Sequence, residues 1–198
     1  MSRPVLESFG VFRASVVSSP SNHYNSPVPK PARLAHTYVA FLRGINVGGH
    51  KIIKMDTLKR AFEKLGMKQV KTVLASGNVL FEASESDAET LCRKIETGLE
   101  KSLGHPVGVV LRSITQIEKL EKSEPFKAVA ITPATRLWVT LLKEKHRGKT
   151  EVFTVFQVTT HLRAGMDAMD NLDKTYGKNI TTRSWNTLGR ILKAHRAS

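Results

Sequence analysis

A glycine-rich stretch, LRGINVGGHKIIKM at residues 42–55, carries the residue types of an anion-binding loop. An arginine ends an apolar run, three glycines and an asparagine follow, and a lysine stands just before a helical pattern. Glycines let backbone N–H groups approach a ligand, and a helix N-terminus attracts anions through its unpaired N–H groups. The predicted ligand-binding residues of this loop are Arg43, Gly44, Asn46, Gly48, Gly49 and Lys54. The alternative is a self-packed turn in which Asn46 hydrogen-bonds its own backbone.

Two other clusters carry hydrogen-bonding side chains. Ser76, Gly77 and Asn78 lie between two strand-like runs, where Gly and Asn favour a tight hairpin because both tolerate positive φ. Near the C-terminus, TTRSWNT brings Arg183, Trp185 and Asn186 together. Stacking and hydrogen bonding by such residues suit a flat, polar ligand, whereas the alternative for Trp185 is a core anchor beside a helix cap.

Several common chemistries are excluded by spacing. Gly44 and Gly49 have the separation of a Walker loop, but His50, Lys51 and Ile52 follow where Lys and then Ser or Thr should stand, so the metal-binding hydroxyl is missing. No GxGxxG or GxSxG sequence is present, and Ser76 lies in LASGN. The seven histidines have no metal-ligand spacing, and GNVLFE does not match the RNA-binding segment of an RRM sheet. The sequence therefore predicts no cofactor and no metal.

The elements that position these residues can be read from hydrophobic periodicity. Residues 38–42 predict a buried strand, 55–65 a helix ending at Gly66, 70–75 and 78–81 a strand pair, and 107–111 another strand. A capping box of Ser86 and Glu89 is expected to start the intervening helix, with Gly104 as its terminator. Strand, helix, strand, strand, helix, strand is the order of a ferredoxin-like βαββαβ unit.

This order places three connections at one end of the sheet. They are the glycine-rich loop, the turn at 76–78 and the connection at 104–106. Both side-chain parities of the first strand are apolar, so a second layer must cover the sheet's other face. The remaining residues offer a helix capped by Ser113 and Gln116, strands at 137–142 and 152–159, a helix at 166–176, and a last helix from Trp185 with Ser184 as N-cap. The predicted class is α+β, with a ferredoxin-like subdomain at 37–112 and a smaller, less regular α+β subdomain at 113–198 packed against it.

The chain is strongly basic, with 31 Lys and Arg against 17 Asp and Glu, net charge +14 and pI near 10.1. Without residues 1–36 the remainder still carries +11, so the charge belongs to the folded body. Such a charge attracts nucleic acid or phosphorylated ligands, although scattered basic residues are more commonly a solvated helix face. Asp167, Asp170 and Asp173 are interpreted as such a face.

Residues 1–36 hold five of the eight prolines, seven serines and a single acid, which predicts a disordered leader, with a targeting segment as the alternative. The one cysteine, Cys92, lies on an apolar helical pattern and is expected to be a buried thiol. A single cysteine fits a reducing, cytoplasmic setting, and no apolar run reaches the length of a membrane span.

Three motifs in order resemble the bacterial family of unknown function DUF 1697: YVAFLRGINVGGHKIIKMDTLKRAFEKLG, VKTVLASGNVLF and TTRSWNT. The resemblance spans about residues 38 to 194. It implies an α+β fold with ferredoxin-like subdomains and a bacterial-type cytosolic protein, and it implies no reaction. The residues that match the family motifs are Arg43, Gly44, Asn46, Gly48, Gly49, Lys54, Met55, Ser76, Gly77, Asn78, Thr182, Arg183, Trp185 and Asn186.

Three functions remain open on these grounds. The preferred hypothesis is binding of an anionic or polar ligand at the glycine-rich loop, with a small molecule or nucleic acid as partner. The second is an enzyme acting on a small phosphorylated or nucleoside-like substrate through Ser76, Asn78 or Arg183, which requires these groups to share a pocket. The third is an interaction domain whose motifs are structural. The oligomeric state is not set by the sequence.

Overall fold

The computed structural model describes residues 35–46, 52–157 and 163–197, with side chains from residue 170 in the last range. These residues belong to one compact unit, Arg33–Ser198. The predicted leader lies outside the described residues except at its last two positions. Gly48, Gly49, Lys51 and Asp167 also lie outside them, or have undescribed side chains.

The first half of the described chain has the predicted order of strands and helices. Its elements are β1 (His36–Leu42), α1 (Met55–Lys64), β2 (Lys68–Val73), β3 (Asn78–Ala83), α2 (Ala88–Leu103) and β4 (Val109–Ser113). The four strands form one sheet in the order β2-β3-β1-β4, and every neighbouring pair is antiparallel. The predicted α+β class is confirmed.

The second half forms a three-stranded antiparallel sheet with three helices. Its elements are α3 (Ile114–Lys122), β5 (Thr135–His146), β6 (Lys149–Gln157), α4 (Arg163–Tyr176), β7 (Ile180–Ser184) and α5 (Trp185–Arg196). The strand order is β6-β5-β7. Strand β7 was missed by the sequence reading, which took its residues only as a polar cluster.

The first sheet is covered on both faces, as its apolar parities predict. Tyr38, Ala40 and Leu42 face a core shared with α1 and α2, whereas Val39 and Phe41 face a second core. That second core contains side chains from α3, β5 and α5: Ile114, Ile117, Val139, Leu141, Leu188, Ile191 and Leu192. Burial of these apolar surfaces joins the two sheets.

The connections predicted to share one end of the first sheet do meet there. The N–H of Leu42 donates to the carbonyl of Gly77 at 2.8 Å, and the N–H of Arg43 donates to the carbonyl of Gly108 at 2.8 Å. The end of β1 is thus held between the β2–β3 turn and the segment that leads into β4. This end of the sheet is where the candidate residues collect.

Two local predictions were wrong. Helix α2 is capped by Asp87, whose carboxylate accepts from Thr90 N, and not by Ser86; both side-chain types can cap, and the helix begins one residue later. In the β2–β3 turn the positive φ values belong to Leu74 and Gly77, because Asn78 is already the first residue of β3. The capping box of Ser113 and Gln116 is confirmed.

Candidate functional site

Arg183 lies on β7 and clasps the two sheets together. Its Nε donates to Asn78 Oδ1 at 2.6 Å, and its Nη2 donates to the carbonyls of Leu42 at 2.7 Å and Ser76 at 3.0 Å. Its Nη1 donates to Thr181 Oγ1 at 2.7 Å and to the carbonyl of Thr182 at 2.9 Å. The planar guanidinium therefore joins the end of β1, the β2–β3 turn and β7.

All five of these acceptors are neutral oxygens. Arg183 is only 8% exposed, and burial lowers its pKa to about 10 because the charged form loses hydration. The ring of Phe41 lies 5.8 Å from the guanidinium carbon and adds a cation–π contact. Hydrogen bonding to neutral dipoles is what offsets the desolvation of this charge.

Two of the three predicted asparagines, Asn46 and Asn78, use their side chains for hydrogen bonds within the protein itself. Asn78 is fully buried and donates to the Val73 carbonyl at 2.8 Å and to Ser76 Oγ at 3.1 Å. Asn46 donates to the carbonyls of Ile53 at 3.1 Å and Ala75 at 2.8 Å, and its Oδ1 accepts from Ile53 N at 2.7 Å. Asn46 thereby pins both ends of the glycine-rich loop to the β2–β3 turn.

Different constraints favour glycine at two of the predicted positions, Gly77 and Gly44. Gly77 adopts φ of +78°, and a Cβ there would lie 2.4 Å from Ile45 Cδ1, so a larger residue is excluded by both backbone and packing. Gly44 adopts φ of +65° with open space around it. Among the described residues, only the backbone conformation restricts Gly44.

Arg43 is committed to an ion pair. Its Nη2 lies 2.7 Å from Asp173 Oδ2, and its Nη1 donates to the carbonyl of Lys178. The two side chains are partly exposed, at 29% and 51%. Asp173 is exposed, as the interpretation of a solvated face predicts, and its ion pair also joins α4 to the end of β1.

A cavity of about 570 Å³ opens beside the N-terminus of α1. We call it the sheet-end cavity, and its lining residues are Ile52, Ile53, Lys54, Thr57, Ser102, Leu103, Gly104 and His105. Lys54 is the N-cap residue of α1, and its side chain makes no capping hydrogen bond to the helix N–H groups. Of the loop residues predicted to bind a ligand, Lys54 lines this cavity. His105 was missed, although it falls in the 104–106 connection that was expected at this end.

Trp185 and Asn186 line a different cavity, of about 350 Å³. We call it the aromatic cavity, and it is completed by Thr135, Arg136, Leu137, Trp138 and Ser184. Trp185 also packs edge-on against Phe126, with ring centroids 5.3 Å apart, and is half-buried against the second core. Its side chain thus serves as an anchor and as a cavity wall. Arg183 does not line this cavity.

A second buried arginine was missed by the sequence reading. Arg112 on β4 pairs with Glu151 through Nε at 3.0 Å and donates through Nη2 to the carbonyls of Leu142 and Thr150. Its side chain is 7% exposed. A single arginine in an apolar strand gives no local signal of these partners, which lie 30 to 39 residues away in the chain.

Cys92 is buried, as predicted, and its thiol lies 3.3 Å from the Val109 carbonyl. Burial raises its pKa, with a smaller contribution from the nearby Glu96 carboxylate.

Within the described ranges, no group of three or more His, Cys, Asp or Glu side chains is arranged to hold a metal ion. No helix in those ranges is long and apolar enough to cross a membrane.

Comparison with known proteins agrees with this architecture. A solved structure of a conserved bacterial protein from Streptococcus pneumoniae superposes with a TM-score of 0.64 at 21% sequence identity, covering 81% of this chain and 99% of the other. The two proteins therefore share a fold. No match is found among curated proteins. The sequence pattern of the family described as "protein of unknown function (DUF1697)" matches residues 35–165, about two thirds of the chain, so the chain belongs to the DUF1697 family.

Proposed function

We propose that the protein binds a small anionic ligand, such as a phosphate ester, in the sheet-end cavity. The observation that carries this proposal is a cavity of about 570 Å³ that Lys54 and His105 both line, at the N-terminus of α1, where the side chain of the N-cap residue Lys54 makes no capping hydrogen bond. Among the described residues, its lining contains no acidic side chain. An anion would therefore meet positive charge and unpaired N–H groups without a repelling carboxylate in the wall.

Backbone and side-chain donors act together in this arrangement. Helix α1 is ten residues long, and the N–H groups of its first turn have no intrahelical acceptors. Its macrodipole places roughly half a positive charge at this end. Lys54 adds a full charge at the cavity wall, and Thr57 adds a hydroxyl. Asp56 lies in the same turn, but its exposed side chain is not part of the lining.

Within this proposal, the other motif residues position the site. Asn46 fastens the ends of the glycine-rich loop, and Arg183 with Asn78 fixes the strand end and turn behind it. Gly44, Gly48 and Gly49 keep the role assigned from the sequence, which is close approach of the backbone to the ligand. The proposed ligand does not contact four other residues that the sequence predicted to bind it: Ser76, Gly77, Trp185 and Asn186.

The contacts of Asn78 and Arg183 bear differently on the two alternative functions, an enzyme and a purely structural domain. Burial of Asn78 and Arg183 in packing counts against an enzyme that would use them on a substrate. A purely structural role accounts for the saturated Arg183 cluster. It does not account for a cavity lined by Lys54 and His105 at a helix N-terminus that its N-cap side chain leaves uncapped, which is why ligand binding is preferred.

Three further points belong to this proposal. The strand order β2-β3-β1-β4 supports a ferredoxin-like unit at 37–112 followed by a second subdomain at 113–198. The buried, single cysteine supports a reducing, cytoplasmic setting. The excess of basic residues supports phosphorylated partners in general.

A thermal-shift screen of inorganic phosphate, nucleotides and sugar phosphates tests the proposal. A ligand at about 100 times its Kd stabilises the native state by roughly 2.7 kcal/mol, which raises Tm by about 5–11 °C in a unit of this size. Lys54→Gln and His105→Ala should each reduce that shift. The matched control is Lys64→Gln, which removes an exposed charge at the other end of α1 and should leave the shift unchanged. A shift of equal size in all four proteins, or none with any anion, would contradict the site.

A further inference from the structure

The aromatic cavity lies where β5 and α5 begin, and it shares no lining residue with the sheet-end cavity. On β5, Trp138 is paired with Ser184 of β7, and its side chain lies on the opposite sheet face from Val139. The ring of Trp138 meets that of Phe156 edge-on, with centroids 6.4 Å apart and planes at 81°. Both rings are half-buried, so part of the Trp138 indole surface is exposed beside the cavity.

Arg136 supplies the charge of this cavity. Its Nη1 donates to the carbonyls of Pro133 at 2.7 Å and Thr135 at 3.0 Å, which holds the guanidinium in place. Its Nε and Nη2 make no hydrogen bond to the described residues. The described residues that line the cavity include no acidic side chain. A cation that lines the same cavity as the Trp138 indole is therefore available to an anionic or electron-rich ligand.

Asn186 forms the opposite rim. Its amide is exposed and makes no hydrogen bond within the described part of the chain. An amide offers two donors and a carbonyl acceptor in one plane, which can pair with the edge of a nucleobase. Stacking on Trp138 and edge pairing with Asn186 are complementary ways of recognising the same flat group.

A basic stripe leads away from this rim. Helix α5 contains no Asp or Glu, and Asn186, Arg190 and Lys193 are exposed at i, i+4 and i+7. This spacing places them on one helix face over about 10 Å. The stripe continues the positive charge of Arg136 along the surface, as expected of a track for a phosphate backbone.

We propose that the aromatic cavity and the α5 stripe bind single-stranded nucleic acid. One base stacks on Trp138 in the cavity, its edge pairs with Asn186, and Arg136, Arg190 and Lys193 neutralise phosphates. Positive grooves that combine aromatic faces with arginines bind unpaired strands with little sequence preference. A duplex keeps its bases stacked on one another, so it lacks the free base that this cavity requires. This binding is independent of the small-anion site at Lys54.

Two measurements on the full chain test this. Fluorescence anisotropy with a labelled oligothymidylate of roughly 12 nucleotides gives affinity and its dependence on salt. The Trp185→Phe variant leaves Trp138 as the one tryptophan of the chain, so its emission reports stacking directly. We expect quenching of that emission on binding and affinity that falls steeply with salt.

Variants separate stacking from general charge. Trp138→Ala should weaken binding about 5- to 150-fold, the equivalent of one lost base stack, whereas Trp138→Phe should retain most of it. Lys193→Gln should lower the magnitude of the logarithmic salt slope by about 1. Lys94→Gln serves as the matched control, because Lys94 is an exposed basic residue on another helix, α2. This control should weaken binding less than Trp138→Ala does.

Three results would overturn the proposal. They are absence of binding at low salt, equal affinity of Trp138→Ala and Lys94→Gln, and equal affinity and quenching with duplex DNA. If Trp138→Ala melts at a lower temperature than the parent, Arg136→Gln and the quenching of Trp138 decide the matter without it. Lys54→Gln should leave the quenching intact, so failure of either proposed site is distinguishable from failure of the other.

Discussion

Replacing Arg183 by methionine tests whether the most conspicuous motif of the C-terminal region is structural. Methionine keeps a long, unbranched side chain and removes every hydrogen-bond donor. The substitution leaves three buried acceptors without a partner, namely Asn78 Oδ1, Thr181 Oγ1 and the carbonyl of Leu42. The other two acceptors, the carbonyls of Ser76 and Thr182, are partly exposed and can bind water.

The magnitude follows from two opposing terms. An unsatisfied buried acceptor costs about 1–3 kcal/mol, so three of them cost roughly 6 kcal/mol at the middle of that range. Removing the charge also removes its desolvation, which at a pKa of about 10 corresponds to roughly 3 kcal/mol. The acceptors outweigh the desolvation term. We expect the free energy of unfolding to fall by about 3 kcal/mol and Tm by about 6–12 °C.

Urea denaturation followed by circular dichroism measures this change directly. Arg190→Met is the control, since Arg190 lies exposed on α5 and its loss should alter stability by no more than about 0.5 kcal/mol. Arg183→Lys should remain well below the parent, because an ammonium cannot reproduce a planar fork that reaches five acceptors. If the free energy of unfolding of Arg183→Met lies within about 0.5 kcal/mol of the parent's, the conclusion that Arg183 stabilises the junction of the two sheets is refuted.

Two other predictions concern groups whose pKa is displaced. The carboxylate of Asp87 caps α2, and the hydrogen bonds from Thr90 lower its pKa, so its stabilising effect is present above the pKa of an unfolded aspartate and is lost as pH falls. Melting curves of the parent and Asp87→Ala should therefore differ at neutral pH and converge in acid; a constant difference would show that the charge is irrelevant. Burial raises the pKa of the Cys92 thiol, so Ellman's reagent at pH 8 should label it only slowly until denaturant is added, and immediate labelling of the native protein would contradict its packing.

Local signals explain which parts of the fold could be predicted. The continuous apolar run at 38–42 indicated that β1 is a strand covered on both faces, and Gly66 and Gly104 marked where helices end. The start of α2 was misplaced because SESD offers two capping residues in succession. Local sequence does not decide between Ser86 and Asp87, and the structure shows that Asp87 is the cap.

The candidate site likewise has features that the sequence predicts and features that only the tertiary structure shows. The sequence by itself determined which residue types could serve chemistry and that three connections gather at one end of the first sheet, since strand order fixes which loops are neighbours. Only the tertiary structure decided that Arg183 is a clasp and that Trp138 and Arg136 join Asn186 in a cavity. The acceptor of Arg183 on β1 lies 141 residues away in the chain, and no local periodicity encodes a hydrogen bond over that separation.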